Sequence, residues 1–106
     1  MEIKQINKVL GSLGLKDAKC VGNTFKWSKK GGLAGAKKVV KTIENAKRVG
    51  FSVAVSETHA SPGGSMVVTS TTLTKDDITV TTRCAYGNTA DANDFAVYVR
   101  FSSIEL

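Results

Sequence analysis

The 106-residue chain contains only two cysteines, one proline, one histidine and one tryptophan. Each scarcity removes a class of protein. Cys20 and Cys84 are too few for a disulfide framework or a four-ligand zinc cluster, so free thiols are expected and neither metal nor cofactor is. A single proline and a hydrophobic share of 42% exclude a proline-rich or disordered chain. No run of about 18 apolar residues could form a membrane-spanning helix, and the N-terminal MEIKQINKVL lacks the apolar centre of a secretion signal. These absences predict a cytoplasmic protein with no membrane partner, folded as one domain over residues 1–106.

Acidic residues are also scarce, nine against fifteen Lys and Arg, and they are unevenly placed. Residues 1–50 hold twelve Lys and Arg against Glu2, Asp17 and Glu44, a net +9, whereas residues 51–106 carry a net −3. A chain polarised in this way attracts an anionic macromolecule to one region and repels it from the other.

Two stretches have helical periodicity. Ile3, Ile6, Val9, Leu10 and Leu13 recur at steps of three and four before Gly14, which predicts a helix over 2–13. Leu33, Ala36, Val39, Val40, Ile43 and Ala46 do the same before Gly50 and predict a second over 33–49. Between them Cys20, Val21, Phe25 and Trp27 suggest a short hairpin around Gly22-Asn23. After Gly50 the period changes to two: Phe51, Val53 and Val55, then 66–73, 78–86 and 95–101, read as four strands. Their short connections, 58–64, 75–77 and 87–94, favour an antiparallel meander. The predicted architecture is therefore α+β, a two-layer sandwich of order α-[β]-α-β-β-β-β. Two amphipathic helices pack on one face of a four-stranded antiparallel sheet, burying Ile6, Leu10, Val40, Ile43, Val80, Val97 and Val99. An edge strand of such a sheet leaves a homodimer open.

Candidate chemistry is sparse. His59, placed in a turn with Glu57 and Ser61, has no second convergent group and reads as an exposed turn histidine. Asp91, Asn93 and Asp94 lack the spacing of a calcium loop and read as a solvated turn. Cys84, alternating with Ile78, Val80 and Tyr86, reads as an inert buried thiol, and Cys20 is expected to be equally inert.

The segment nearest to a motif is Lys29-Lys30-Gly31-Gly32-Leu33-Ala34-Gly35-Ala36-Lys37-Lys38, a glycine-rich turn leading into a helix. Free amides, the positive helix end and flanking cations together suit an anion. The P-loop pattern is absent, because Ala36 follows Gly35 and no hydroxyl follows the lysine. Lys37, Lys41 and Arg48 fall within roughly 40° on one helix flank, with Lys38 further round. Lys29, Lys30, Gly31, Gly32, Lys37, Lys38, Lys41 and Arg48, with Trp27 as a stacking surface, are thus the expected contacts to phosphates. The open sheet face with Tyr98, Arg83 and Arg100 is a second candidate. The expected function is non-enzymatic binding of a nucleic acid or nucleoprotein. The rival is a small inhibitor or adaptor, of the kind encoded by a phage or mobile element, acting on an acidic protein surface.

Overall fold

The computed structural model describes residues 2–102; the ends of the expected 1–106 domain lie outside the described residues. Helix α1 spans Ile3–Leu13 and α2 spans Ala34–Arg48. The strands are β1 (Lys19–Val21), β2 (Thr24–Lys30), β3 (Ser52–Ala60), β4 (Met66–Lys75), β5 (Ile78–Gly87) and β6 (Asp94–Phe101). The class is α+β with two helices, as the periodicities predict, but the sheet has six strands instead of four, in the order β1-β2-β6-β5-β4-β3 with every pairing antiparallel.

The two added strands are the hairpin around Gly22-Asn23. Gly22 supplies a positive φ of 65° for the turn. Phe25 and Trp27 of β2 then lie opposite Val99 and Val97 of β6. These aromatics complete the apolar row on one sheet face, which draws the hairpin into the sheet beside the last strand of the meander. The parity of the pairings makes β2 and β3 parallel, with β6, β5 and β4 between them. Helix α2 is the crossover that joins them.

The core lies between the helices and the face formed by Phe95, Val97, Val99 and Phe101 of β6, Ile78 and Val80 of β5, and Leu73 of β4. From the helices Ile6, Leu10, Leu13, Val39 and Ala46 enter it. Expected core residues Ile6, Leu10, Val80, Val97 and Val99 are buried. Val40 is not: it is 55% exposed, and Ile43 is only half-buried. Adjacent Val39 and Val40 point about 100° apart on a helix, so only one of them can face the sheet. The buried stripe of α2 is Gly35, Val39, Thr42, Asn45 and Ala46.

Its polar members are satisfied. Thr42 Oγ1 donates to the Lys38 carbonyl at 2.8 Å, and Asn45 Nδ2 donates to the Leu13 carbonyl at 3.2 Å. Lys38 Nζ donates to the Gly14 carbonyl at 2.6 Å. Two side chains of α2 therefore serve the carbonyls left open at the end of α1, where Gly14 turns with φ 78°.

The strand boundaries also extend beyond expectation. The 58–64 connection shrinks because Thr58, His59 and Ala60 belong to β3, which is paired with β4 as far as Ala60↔Val67. This end of β3 has no apolar alternation because the helices bear on β2, β5 and β6 and leave it uncovered.

Close approach of α2 to the sheet depends on Gly35. A Cβ there would sit 2.6 Å from Cγ and 2.7 Å from Cβ of Phe95, a side chain with no exposed surface. Gly35→Ala is expected to destabilise the fold by about 1–3 kcal/mol through overpacking, seen as a lower denaturation midpoint with an unchanged slope.

Candidate nucleic-acid interface

The glycine-rich turn connects β2 to α2 with Gly31 and Gly32 both at positive φ, 77° and 66°. Such a pair of amides could cradle an anion, but here both are engaged. Gly31 N–H donates to the Asn93 carbonyl at 2.8 Å and Gly32 N–H to the Ala90 carbonyl at 3.0 Å. The Asn93 side chain completes the junction: Nδ2 donates to the Gly32 carbonyl at 2.9 Å, and Oδ1 accepts from Gly87 N–H at 3.1 Å. Asn93 is buried, so the expected solvated turn at 91–94 is a structural clamp between the β2–α2 and β5–β6 connections. The amide cradle expected at Gly31 and Gly32 is not available for this reason.

The structure divides the other expected contacts among three surfaces. Trp27 points to the helix side, packs against the core and has Lys38 Nζ 5.6 Å from its ring centre. Lys38 is tied to Gly14 and lies 3.6 Å from Asp17, and Arg48 is hydrogen-bonded to Asn45. Trp27 and Lys38 thus serve the packing of the fold, whereas Arg48 is exposed and its bond stays within α2. Lys37 and Lys41 are exposed on the outer side of α2, flanking Val40. Lys29 is exposed on the helix side of β2. Lys30, one residue on, faces the opposite side of the sheet.

That opposite, helix-free face is where cations converge. Register places Lys19 of β1 directly opposite Lys26 of β2, Lys26 opposite Tyr98 of β6, and Tyr98 opposite Thr81 of β5. Lys26 Nζ lies 5.5 Å from the centre of the Tyr98 ring. Arg100 is two residues along the same strand face, opposite Thr24 and Thr79. Lys30 stands opposite Asp94, whose carboxylate accepts from Arg83 Nη1 at 3.5 Å. Among the described residues none of Lys19, Lys26, Lys30 and Arg100 forms an ion pair. The neighbouring hydroxyls, Thr24, Ser28, Thr79 and Thr81, are uncharged.

Lys19 and Lys26 were absent from the sequence-based candidates because their juxtaposition is a matter of register. The signal that could have found them is the alternation Lys26-x-Ser28-x-Lys30 beside the core-facing Phe25 and Trp27.

The remaining candidates are dispersed. His59 sits on β3, exposed, with Nε2 3.3 Å from Glu57 Oε2. The Ser61 hydroxyl is engaged by Ser65 Oγ and by Met66 N–H, both at 3.0 Å. Both thiols are free. Cys20, expected to be inert, is exposed on β1, while Cys84 is half-buried and burial raises its pKa, with a hydrogen bond from Tyr86 acting in the opposite direction. No group of three or more His, Cys, Asp or Glu able to hold a metal occurs among the described residues, nor any helix long and apolar enough to cross a membrane.

Two predictions follow from these environments. Asn93→Ala removes partners from Gly87 N–H and from the Gly32 carbonyl, and is expected to destabilise the protein by about 1–3 kcal/mol in denaturant unfolding. With its pKa raised, Cys84 holds less thiolate at neutral pH than an ordinary thiol. Iodoacetamide at pH 7 should therefore modify Cys20 first, with Cys84 catching up as the pH rises, as read by peptide mass spectrometry. No family model matches the chain, and no curated protein or solved structure shows significant similarity to it.

Proposed function

We propose that this protein is a non-enzymatic binding domain that holds single-stranded nucleic acid on its open sheet face, along β1, β2, β6 and β5. The observation that carries the proposal is the Lys19–Lys26 pair. Like charges directly opposed across an antiparallel ladder destabilise a sheet. Here they stand side by side, and among the described residues neither forms an ion pair. A polyanion lying across the strands relieves that repulsion at Lys19 and Lys26, with Arg100 to one side of that row and Lys30 to the other.

Tyr98 gives the face a second kind of contact. Its ring lies among these cations on a surface no helix covers, where a base can stack with little dependence on its identity. A duplex keeps its bases inside, so a sheet offering one aromatic platform and a row of cations fits an unpaired strand better. Binding is then dominated by phosphates and weakly sequence-specific. Lys29, Lys37 and Lys41 extend the positive field to the other side of the domain, where they raise the rate of encounter more than they define the site.

The test compares the two surfaces. Lys19→Ala and Lys26→Ala should each weaken binding of a fluorescent single-stranded oligonucleotide and lower the slope of log affinity against log salt by roughly 0.7 per lost contact. Tyr98→Ala should cost about 1–3 kcal/mol of affinity. Neither lysine change should lower stability, since relief of the like-charge contact offsets the lost side chain, and a shift within about 0.5 kcal/mol is expected. The double change Lys37→Ala/Lys41→Ala serves as the control. A larger loss there moves the site to α2. Absence of binding by the unaltered protein at about 50 mM salt overturns the proposal in favour of the inhibitor or adaptor reading, with an acidic protein surface as partner.

A further inference from the structure

The sheet has two edges, and they differ. β1 is three residues long and includes Lys19, features that discourage another strand from adding there. β3 at the other edge is nine residues long, SVAVSETHA, and every one of them is exposed. It contains no lysine, arginine or proline. Long unprotected edges are rare because they template pairing with other chains. We propose that β3 pairs antiparallel with β3 of a second copy of this chain, centred on Thr58.

The backbone limits the registers available. Ser61 N–H donates to the Met66 carbonyl of β4 at 2.9 Å. Since amides along a strand point alternately to its two sides, those of Ala60, Thr58 and Ser56 point away from β4, with their carbonyls. Only a register that pairs these even-numbered residues with one another makes hydrogen bonds across the new edge. Such registers differ by steps of two.

The side chains choose among them. Glu57 and His59 lie on the same face of β3, two residues apart, with their side chains already 3.3 Å from each other. With Thr58 opposite the partner's Thr58, each Glu57 stands opposite the partner's His59. These are non-hydrogen-bonded positions, where Cα atoms approach to about 4.5 Å and side chains interact most closely. The register one step toward the start of the strand sets Glu57 against the partner's Glu57, and one step the other way sets His59 against the partner's His59. One arrangement is therefore complementary and its neighbours are repulsive or neutral.

The ends of the strand agree with this register. Ser56 pairs with the partner's Ala60, giving about six backbone hydrogen bonds in all, two for each of three pairs. Beyond them the next outward positions are Ala54 and Pro62. The β3–β4 register shifts between Val53 and Val55, so a bulge interrupts the ladder at Ala54, and Pro62 has no N–H to donate. The exchangeable segment is thus bounded at both ends. Nothing in this pairing depends on the nucleic-acid proposal, because the Lys19–Lys26 face lies at the far edge of the sheet.

Sedimentation equilibrium from about 10 μM to about 1 mM at low salt tests the pairing. The unaltered protein should form a dimer within that range. Thr58→Pro removes an outward amide and the exposed Thr58–Thr69 hydroxyl contact but no backbone hydrogen bond between β3 and β4, so it should keep the circular dichroism spectrum while raising the dissociation constant tenfold or more. His59→Glu, which sets carboxylates against each other, should weaken the dimer. The double exchange Glu57→His/His59→Glu, which restores an imidazole opposite a carboxylate, should recover most of it. A protein monomeric throughout the range overturns the proposal. So does a dimer that persists in a folded Thr58→Pro variant, or one in which the double exchange is no better than His59→Glu alone.

Discussion

Burial of one row of side chains, Phe95, Val97, Val99 and Phe101, is the interaction on which the rest of the fold rests. All four have no exposed surface, and the strand that carries them lies between β2 and β5. That strand is the last among the described residues but not at the edge of the sheet. By pairing with β2 it joins the N-terminal hairpin to the meander, and by packing under α2 it fixes where the crossover lies. Gly35 against Phe95 sets how closely helix and sheet approach, and the Asn93 junction sets where the glycine-rich turn docks. A change at this row disturbs every other element, whereas a change on β1 or the free end of β3 does not.

The same packing explains why so much of the sheet stays bare. Helices of eleven and fifteen residues cover the middle of one face and no more. The consequence is a protein with an entire open face, plus a β3–β4 end uncovered on both sides. The side chains on this bare β-structure are largely threonine, serine and lysine. Hydroxyls make the surface compatible with water without committing it to a charge. The lysines then concentrate charge at one end of the open face, around the Tyr98 ring. Charge and an aromatic ring thus meet on one surface that the core has no use for.

Cations in the sequence look equivalent until their partners are known. Lys38 shares a helix with Lys37 and Lys41, yet it is half-buried and fastened to the Gly14 carbonyl while the other two reach water. The glycine-rich turn shows the same divergence. Its positive φ angles are those of an anion cradle, but its amides meet the Asn93 and Ala90 carbonyls, so its purpose in this fold is to seat one connection against another. A motif supplies donors; whether those donors face a ligand or the protein is a matter of neighbours.

What the sequence by itself determined is the set of elements with strong periodicity: both helices to within a residue or so at each end, the four long strands, their antiparallel order and the α+β class. Periodicity reports burial on one side of an element, and all of these except β3, whose residues are all exposed, are buried on one side. Tertiary structure decided the rest, for physical reasons that can be named. The Gly22-Asn23 hairpin joins the sheet only because Phe25 and Trp27 find Val99 and Val97. Val39 and not Val40 faces the core because α2 rotates to bury Thr42 and Asn45, whose polarity hides them from a hydrophobic pattern; Thr42 bonds the Lys38 carbonyl of its own helix and Asn45 the Leu13 carbonyl of α1. Residues 58–60 read as loop because a strand exposed on both faces has no alternation to read. The Lys19–Lys26–Tyr98 alignment exists only in the register of three strands, two of them from the first third of the chain and one from its end.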